Sequence, residues 1–215
     1  MSCRGWRWLE GAQRALLRLV APDYCAACDA PVPEGAAFCE VCGECPRAPA
    51  EVALGARVGG AYAPPLSTAI RRLKFGQRTD LAGRLSPLLP RVAAPAGTLV
   101  VPVPLHLTRL VERGYNAPAL LAARWCRRHA LELAPWLLSR CRDTAHQARL
   151  PALERAHNVE GAFIAHAGAA GRHAILIDDV VTTGATLAAC RAALYAAGVT
   201  HVTVVALAAT PHAGG

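Results

Sequence analysis

Two adjacent carboxylates, Asp178 and Asp179, close the apolar run "AILI" and are followed at once by "VVTTGATL". In that stretch Thr182, Thr183, Gly184, Ala185 and Thr186 form a small, hydroxyl-rich turn, and the next residues have helical spacing. Backbone N–H groups at such a turn, with the threonine hydroxyls and the start of a helix, cradle an anion such as phosphate without needing a side-chain cation. Carboxylates set beside the cradle would repel a phosphate. They suit vicinal hydroxyls instead, from which each can accept hydrogen bonds. A ligand with a phosphate at one end and a diol several ångströms away meets both demands, and a ribose 5-phosphate is such a ligand. Val181 would contribute main chain only. The alternative is a plain acidic turn ahead of a capped helix, which leaves the run of consecutive fitting positions unexplained.

A second constellation is built of thiols. Cys25 and Cys28 form one Cys-x-x-Cys step, and Cys39 and Cys42 form another ten residues further on. Each pair puts two thiolates on one tight turn, and two such turns can face each other across a tetrahedral Zn²⁺. The metal would cross-link a segment with little core of its own. Cys45 makes a third step with Cys42, so it either replaces a ligand or stays free. Cys126 and Cys190 sit in apolar helical stretches and read as small buried residues.

Cations are scattered elsewhere. Arg109 and Arg113 are four apart, on one face if the segment is helical. Two guanidinium forks there would clamp a pyrophosphate, or they form a solvated basic face. The stretch from Arg140 to Asn158 is polar and irregular, with Arg140, Arg142, His146, Gln147, Arg149 and Arg155 available. Lys74 is the single lysine among 23 basic residues. A place that keeps lysine where arginine otherwise serves suits a compact ammonium better than a fork.

These residues need a scaffold. The chain has 215 residues, 53% of them hydrophobic, enough for one domain with a packed core plus a small module. Residues 1–21 carry Trp6, Leu9, Leu16, Leu17 and Val20 at roughly helical spacing. Residues 22–50 are the cysteine module, rich in proline and glycine, and 51–215 form the main domain. "CPRAPAEVALGARVGG" reads as a linker or an entry to that domain. Beyond it "TAIRRLKFGQRTDLAGRLSPLL" is helical with a break at Gly76. "GTLVVPVP" is a buried strand and "YNAPALLAARWCRRHAL" a helix. "PWLLSRCR", "GAFIAH", "HAILIDDV" and "HVTVVALAAT" are strands. A helix between the last two ends at Gly198. Strand–helix–strand order with continuous apolar strands predicts an α/β fold with a mostly parallel sheet. Asp178 and Asp179 then fall at its carboxyl edge, where ligands of open α/β sheets bind.

The net charge of +8 and sequence pI near 9.3 favour anionic partners, or describe a basic solvated surface. No apolar stretch approaches the ~20 residues needed to span a membrane. The N-terminal stretch has no uninterrupted apolar segment or cleavage site of the kind a secretory signal carries. A cytoplasmic location is expected, where nine cysteines point to metal or buried thiols rather than disulfides.

"ILIDDVVTTGATL" resembles the signature of the type I phosphoribosyltransferases. Together with "VVPVPLHLTRLVERGYN", "LLSRCRDTAHQARLPALERAHNVEGAF" and the four-cysteine module, it is similar to the ComF family, from about Cys25 to Ala208. One departure is visible: the family usually has Arg-Gly-Phe-Asn-Gln where this chain has Arg113-Gly114-Tyr115-Asn116-Ala117.

The resemblance implies a type I phosphoribosyltransferase-like fold, Rossmann-like with helices flanking the sheet, behind a zinc-ribbon-like module. It implies that Asp178 and Asp179 hold the ribose hydroxyls of Mg²⁺-bound phosphoribosyl pyrophosphate or a related ribose phosphate. Val181, Thr182, Thr183, Gly184, Ala185 and Thr186 would hold the 5-phosphate, and Arg109 and Arg113 the pyrophosphate. A loop over 140–158 would close on the substrate, with Arg140, His146 and Arg155 as catalytic candidates. The implied setting is bacterial DNA uptake in natural competence. The expected role is phosphoribosyl transfer in nucleoside metabolism to an acceptor the sequence does not identify. The other expectation is an inactive ligand sensor or an adaptor for single-stranded DNA and the uptake machinery. Aromatic residues for base stacking are only 5%, so such DNA binding would be mainly electrostatic.

Overall fold

The computed structural model describes residues 23–142 and 161–210. The expected N-terminal helix over 1–21 lies outside them. The frame is a five-stranded sheet of β1 (Arg57–Ala61), β2 (Leu99–Pro102), β3 (Glu132–Leu133), β6 (His173–Val181) and β7 (His201–Ala209), in the order β1-β7-β6-β2-β3. All four pairings are parallel. A separate antiparallel hairpin joins β4 (Leu138–Arg140) to β5 (Phe163–Ala165).

Alternation along each central strand feeds two cores. Val100, Ile175, Ile177, Val205 and Leu207 face one side, where they meet α1 (Leu66–Phe75), α2 (Leu81–Leu85) and α4 (Ala117–His129). Leu99, Val101, Leu176, Val204 and Ala206 face the other, under α5 (Ala185–Ala196) and the β4–β5 hairpin. Such strands are buried on both faces, which is why they read as unbroken apolar runs. The helices present apolar stripes to match. Leu66, Ala69, Ile70 and Leu73 are fully buried on α1, and Leu121, Ala122 and Trp125 are buried on α4. The break foreseen at Gly76 separates α1 from α2.

The segment read as a linker or an entry to the main domain runs into strand β1, in the sequence "RVGGA". Two glycines disfavour a strand by propensity. Tertiary contact selects them: a Cβ on Gly59 would strike the carbonyl oxygens of Leu88 and Leu207, and one on Gly60 would lie 2.5 Å from the Pro46 oxygen and 2.9 Å from Cys45 Sγ. The two-residue edge strand β3 also escapes sequence reading, being too short to show a period.

The cysteine module packs directly on α1 and α2. Ala26 is fully buried in the core beneath those helices, with Tyr24, Phe38 and Cys45 packed against it. Arg72 donates to the Ala26 carbonyl at 3.1 Å and pairs with Asp29. Arg78 reaches Asp29 at 2.8 Å, and Arg84 donates to the Ala36 carbonyl at 2.9 Å and pairs with Asp23. The guanidinium groups of Arg78 and Arg84 lie 5.2 and 5.0 Å from the Tyr24 ring centre. Three arginines at six-residue spacing thus tie the module to the sheet's helical layer.

Candidate functional site

The order of the strands creates the site. From β2 the chain runs outward to β3, and from β6 it runs the opposite way to β7. Adjacent strands whose connections diverge leave a crevice at their carboxyl ends. The segments leaving β2 and β6 line a cleft of about 400 Å³ there. β6 brings Asp178, Asp179 and Val181, and the following turn and helix start bring Thr182 through Thr186. The other wall holds Val103, Pro104, Arg109 and Arg113, with Arg140 from β4 and Lys74 from the end of α1. His146 and Arg155, with Gln147 and Arg149, lie outside the described residues.

The turn after β6 is shaped for close approach. Gly184 has φ 77° and serves as the N-cap of α5, with no side-chain cap hydrogen bond. A Cβ there would sit 2.9 Å from Ala53 Cβ, so both conformation and space call for glycine. The Ala185 N–H makes a long hydrogen bond of 3.5 Å to the Thr183 hydroxyl, one that a ligand oxygen can replace at this helix start. Thr182 and Thr183 are exposed, and Thr186 is half-buried.

Alternation along β6 sends its two carboxylates apart. Asp179, 4% exposed, turns toward α1 and meets Lys74 Nζ at 2.7 Å. Burial works against the Lys74 charge, but the carboxylates of Asp179 and Asp178 outweigh it and hold the ammonium above its ordinary value. Asp178 Oδ1 accepts the Asp179 backbone N–H at 2.8 Å. Burial, reinforced by repulsion from Asp179, pushes the Asp178 carboxyl up to about 7, with Lys74 pulling the other way. Lys74 therefore belongs to the site. Its signal in the sequence was its singularity, but nothing local connected "RRLKF" to an acidic pair a hundred residues away.

The opposite wall is held by smaller devices. The Asn116 amide donates to the Val103 carbonyl at 2.9 Å, tying the start of α4 to the segment leaving β2. Tyr115 donates its hydroxyl to the Leu73 carbonyl, next to Lys74. Ala117, where the ComF pattern has glutamine, is fully buried in the helical core. Helix α3 (Leu107–Arg113) buries none of its residues. Its Arg113 stacks 5.0 Å from the centre of the Phe75 ring, which is 70% exposed at the cleft rim.

The four sulfurs of Cys25, Cys28, Cys39 and Cys42 all lie within 4.8 Å of one another, with Cys28 and Cys39 3.6 Å apart. Tetrahedral Zn²⁺ with bonds of about 2.3 Å separates its sulfurs by ~3.8 Å, so the set fits that ion. The two turns are alike. Asp29 and Gly43, each directly after a second cysteine, have φ 63° and 80° and donate their N–H to the first cysteine's carbonyl at 3.0 Å. Burial disfavours a Cys25 thiolate, yet the backbone N–H groups of Cys39, Ala27 and Cys28 lower it to about 6. Cys42 is pushed up to about 12, first by Cys28 and then by burial. Four thiolates here need a cation between them. Cys45 stays out of the set, with its sulfur 3.9 Å from the Gly59 carbonyl oxygen.

No family model matches the chain. It is 38% identical over 135 residues to DNA utilization protein YhgH of Escherichia coli K12, covering 59% of this chain and 60% of the relative. It is 31% identical over 160 residues to Competence protein F of Haemophilus influenzae, covering 69% of this chain and 70% of the relative. The chain belongs to the ComF family. This ComF-family chain is also 35% identical over 143 residues to YhgH of Salmonella typhi. It spans about 60% of the length of the YhgH relatives it matches. Among the described residues of this ComF-family chain, no helix is long and apolar enough to cross a membrane.

Two outcomes follow for the acidic pair. Replacing Lys74 with methionine leaves a buried Asp179 unpaired and should cost about 3 kcal/mol in urea unfolding, the low end of the usual range because Lys74 is partly exposed. Adding Asp179→Asn should restore most of that. Asp178 behaves oppositely. Its folded value is raised, so its ionisation costs nothing at a pH below the unfolded carboxylate range and costs progressively more as the pH rises toward 7. Asp178→Asn should therefore stabilise the protein by up to about 4 kcal/mol at pH 8, with the gain vanishing near pH 4 in parallel melts.

Proposed function

We propose that the cleft binds phosphoribosyl pyrophosphate or a related ribose phosphate, in a protein that serves DNA uptake. The observation that carries this reading is the meeting, at one sheet edge, of an acidic pair with a glycine-capped helix start and a set of guanidinium groups. The N–H groups of Ala185 and Thr186, with the hydroxyls of Thr182, Thr183 and Thr186, would hold the 5-phosphate. Asp178 and Asp179 would hold the ribose hydroxyls. Lys74 neutralises Asp179, which lowers the repulsion between the acidic pair and an anionic ligand. With its carboxyl raised, Asp178 would offer the diol a donor when protonated and acceptors when ionised. Arg109, Arg113 and Arg140 would face the pyrophosphate, and Mg²⁺ would screen its charge while keeping most of its own water ligands. In a transfer reaction the bond from the anomeric carbon to pyrophosphate breaks, and pyrophosphate leaves with the electron pair. A nucleophile bonds to that carbon and gives up its proton. The protein supplies position and charge stabilisation.

The DNA connection rests on the relatives, which are named for DNA utilization and competence. A second reading, an adaptor for single-stranded DNA, is favoured by the exposed Phe75 ring beside Arg113 and the exposed Leu107 and Val111 of α3. Guanidinium groups track phosphates and an exposed ring stacks bases.

Titration of phosphoribosyl pyrophosphate with Mg²⁺ into wild type and Asp178→Asn/Asp179→Asn tests the first reading. Binding should weaken by about a hundredfold in the variant, as expected for losing two charged hydrogen-bonding groups. Equal affinity would sink the ribose assignment. Pyrophosphate release with amine or base acceptors separates a transferase from a sensor. Single-stranded DNA that stays bound to the variant with a steep salt dependence supports the adaptor, and no binding at low salt removes it.

In the module, the fit of the four thiols supports a structural zinc held by Cys25, Cys28, Cys39 and Cys42. Metal analysis should find one zinc per chain, lost on Cys39→Ala and kept on Cys45→Ala. Retention in the first variant would overturn the ligand set.

A further inference from the structure

A second cavity, about 570 Å³, lies at the opposite end of the sheet. Its floor is the same face that carries the helical core. At Ile177, Val205 and Leu207 that face is apolar and covered by helices. Toward the amino edge the matching positions change type. His173 on β6 is the cross-strand partner of His201 on β7, Thr203 pairs with Ile175, and Arg57 on β1 pairs with Val205. Side chains two apart share a face, so His173, His201, Thr203 and Arg57 join Ile175 on one surface. The imidazole rings sit 5.5 Å apart. The roof is the connection from α2 to β2, which adds Arg91, Pro90, Val92 and Pro95. Thr98, which is buried, pins that connection by donating to the Pro95 carbonyl at 2.6 Å.

Among the described residues no carboxylate lines this cavity, and two arginines and two histidines do. A sheet face that turns from aliphatic to cationic under a proline-ribbed roof has the donors for an anion and the apolar walls for a flat body. Arg57 and Arg91 can each present a fork to a phosphate, the histidines a ring N–H apiece, and Thr203 a hydroxyl. Pro90, Val92 and Pro95 opposite Ile175 suit a planar ring.

We propose that this cavity is a second ligand site, for a phosphomonoester carrying a planar body, the class of the nucleoside monophosphates. It lies at the other edge of the sheet from Asp178 and Asp179 and does not depend on what the first cleft binds.

The probes are 2′-deoxyadenosine 5′-monophosphate and inorganic phosphate, titrated into the full chain. The ring proton signals of His173 and His201, assigned through His173→Gln and His201→Gln, report the site by nuclear magnetic resonance. The nucleotide should shift both rings, and phosphate should compete with it but bind more weakly. Arg57→Ala/Arg91→Ala, both exposed positions, should lower the nucleotide's affinity about tenfold or more. The same variant should leave phosphoribosyl pyrophosphate titration unchanged, and Asp178→Asn/Asp179→Asn should leave the histidine shifts intact. Unmoved rings at saturating nucleotide, or full affinity in the arginine variant, would overturn the site. Phosphate binding as tightly as the nucleotide would overturn the planar-body assignment.

Discussion

The Lys74–Asp179 ion pair is the contact on which the cleft depends. Parallel strands end in a layer that is buried on both faces, and two neighbouring carboxylates placed there cannot both be ionised without a partner. Lys74 supplies it from the last turn of α1, across the helical core. Its ammonium meets Asp179 at 2.7 Å as a compact point charge on a flexible stem. Asp178, left with less compensation, keeps its proton more readily. The acidic pair is thus two unlike groups, one ion-paired to Lys74 and the other a carboxyl raised by burial and by its neighbour.

The position of α1 therefore matters to the chemistry, and α1 is held from both sides. Its apolar stripe packs on Ile175, Ile177 and Val205, while Arg72 on its outer side is tied to the cysteine module. The Tyr115 hydroxyl fixes its last carbonyls from the other wall of the cleft. A small segment that cannot fold around a core of its own thus becomes a clamp on the helix that carries the counter-charge. This gives the four thiols a consequence beyond their own fold: a metal that orders the module also orders the layer behind Lys74. The arginine content has a structural use at Arg72, Arg78 and Arg84.

The two ends of the sheet differ in the same physical terms. At the carboxyl edge, helix starts and a glycine turn present backbone N–H groups beside acids. At the amino edge the helices stop short, and the floor itself becomes polar through His173, His201 and Arg57. Both depend on the strict two-residue alternation of parallel strands, which assigns each side chain to one face. A one-residue slip would move every side chain to the opposite face, so the dense apolar packing of Ile175 to Ile177 also sets the register of both ends.

By itself the sequence determined whatever is local: the apolar strands, the helical stripes of α1 and α4, the paired Cys-x-x-Cys turns, and the carboxylates followed by a glycine turn. Each is written in consecutive residues or one period, so propensity and spacing reveal it. The tertiary structure alone decided what joins distant segments. It made a strand of "RVGGA", because Gly59 and Gly60 are demanded by the approach of Leu88, Leu207 and Pro46 rather than by strand propensity. It excluded Cys45 from the thiol set and sent Ala117 into the core. It brought Lys74 to Asp179, and Arg57 to His173 and His201, across separations that no window of sequence contains. The physical reason is the same in each case. Burial and charge compensation depend on which surfaces meet, and strand order, which local pattern does not encode, chooses them.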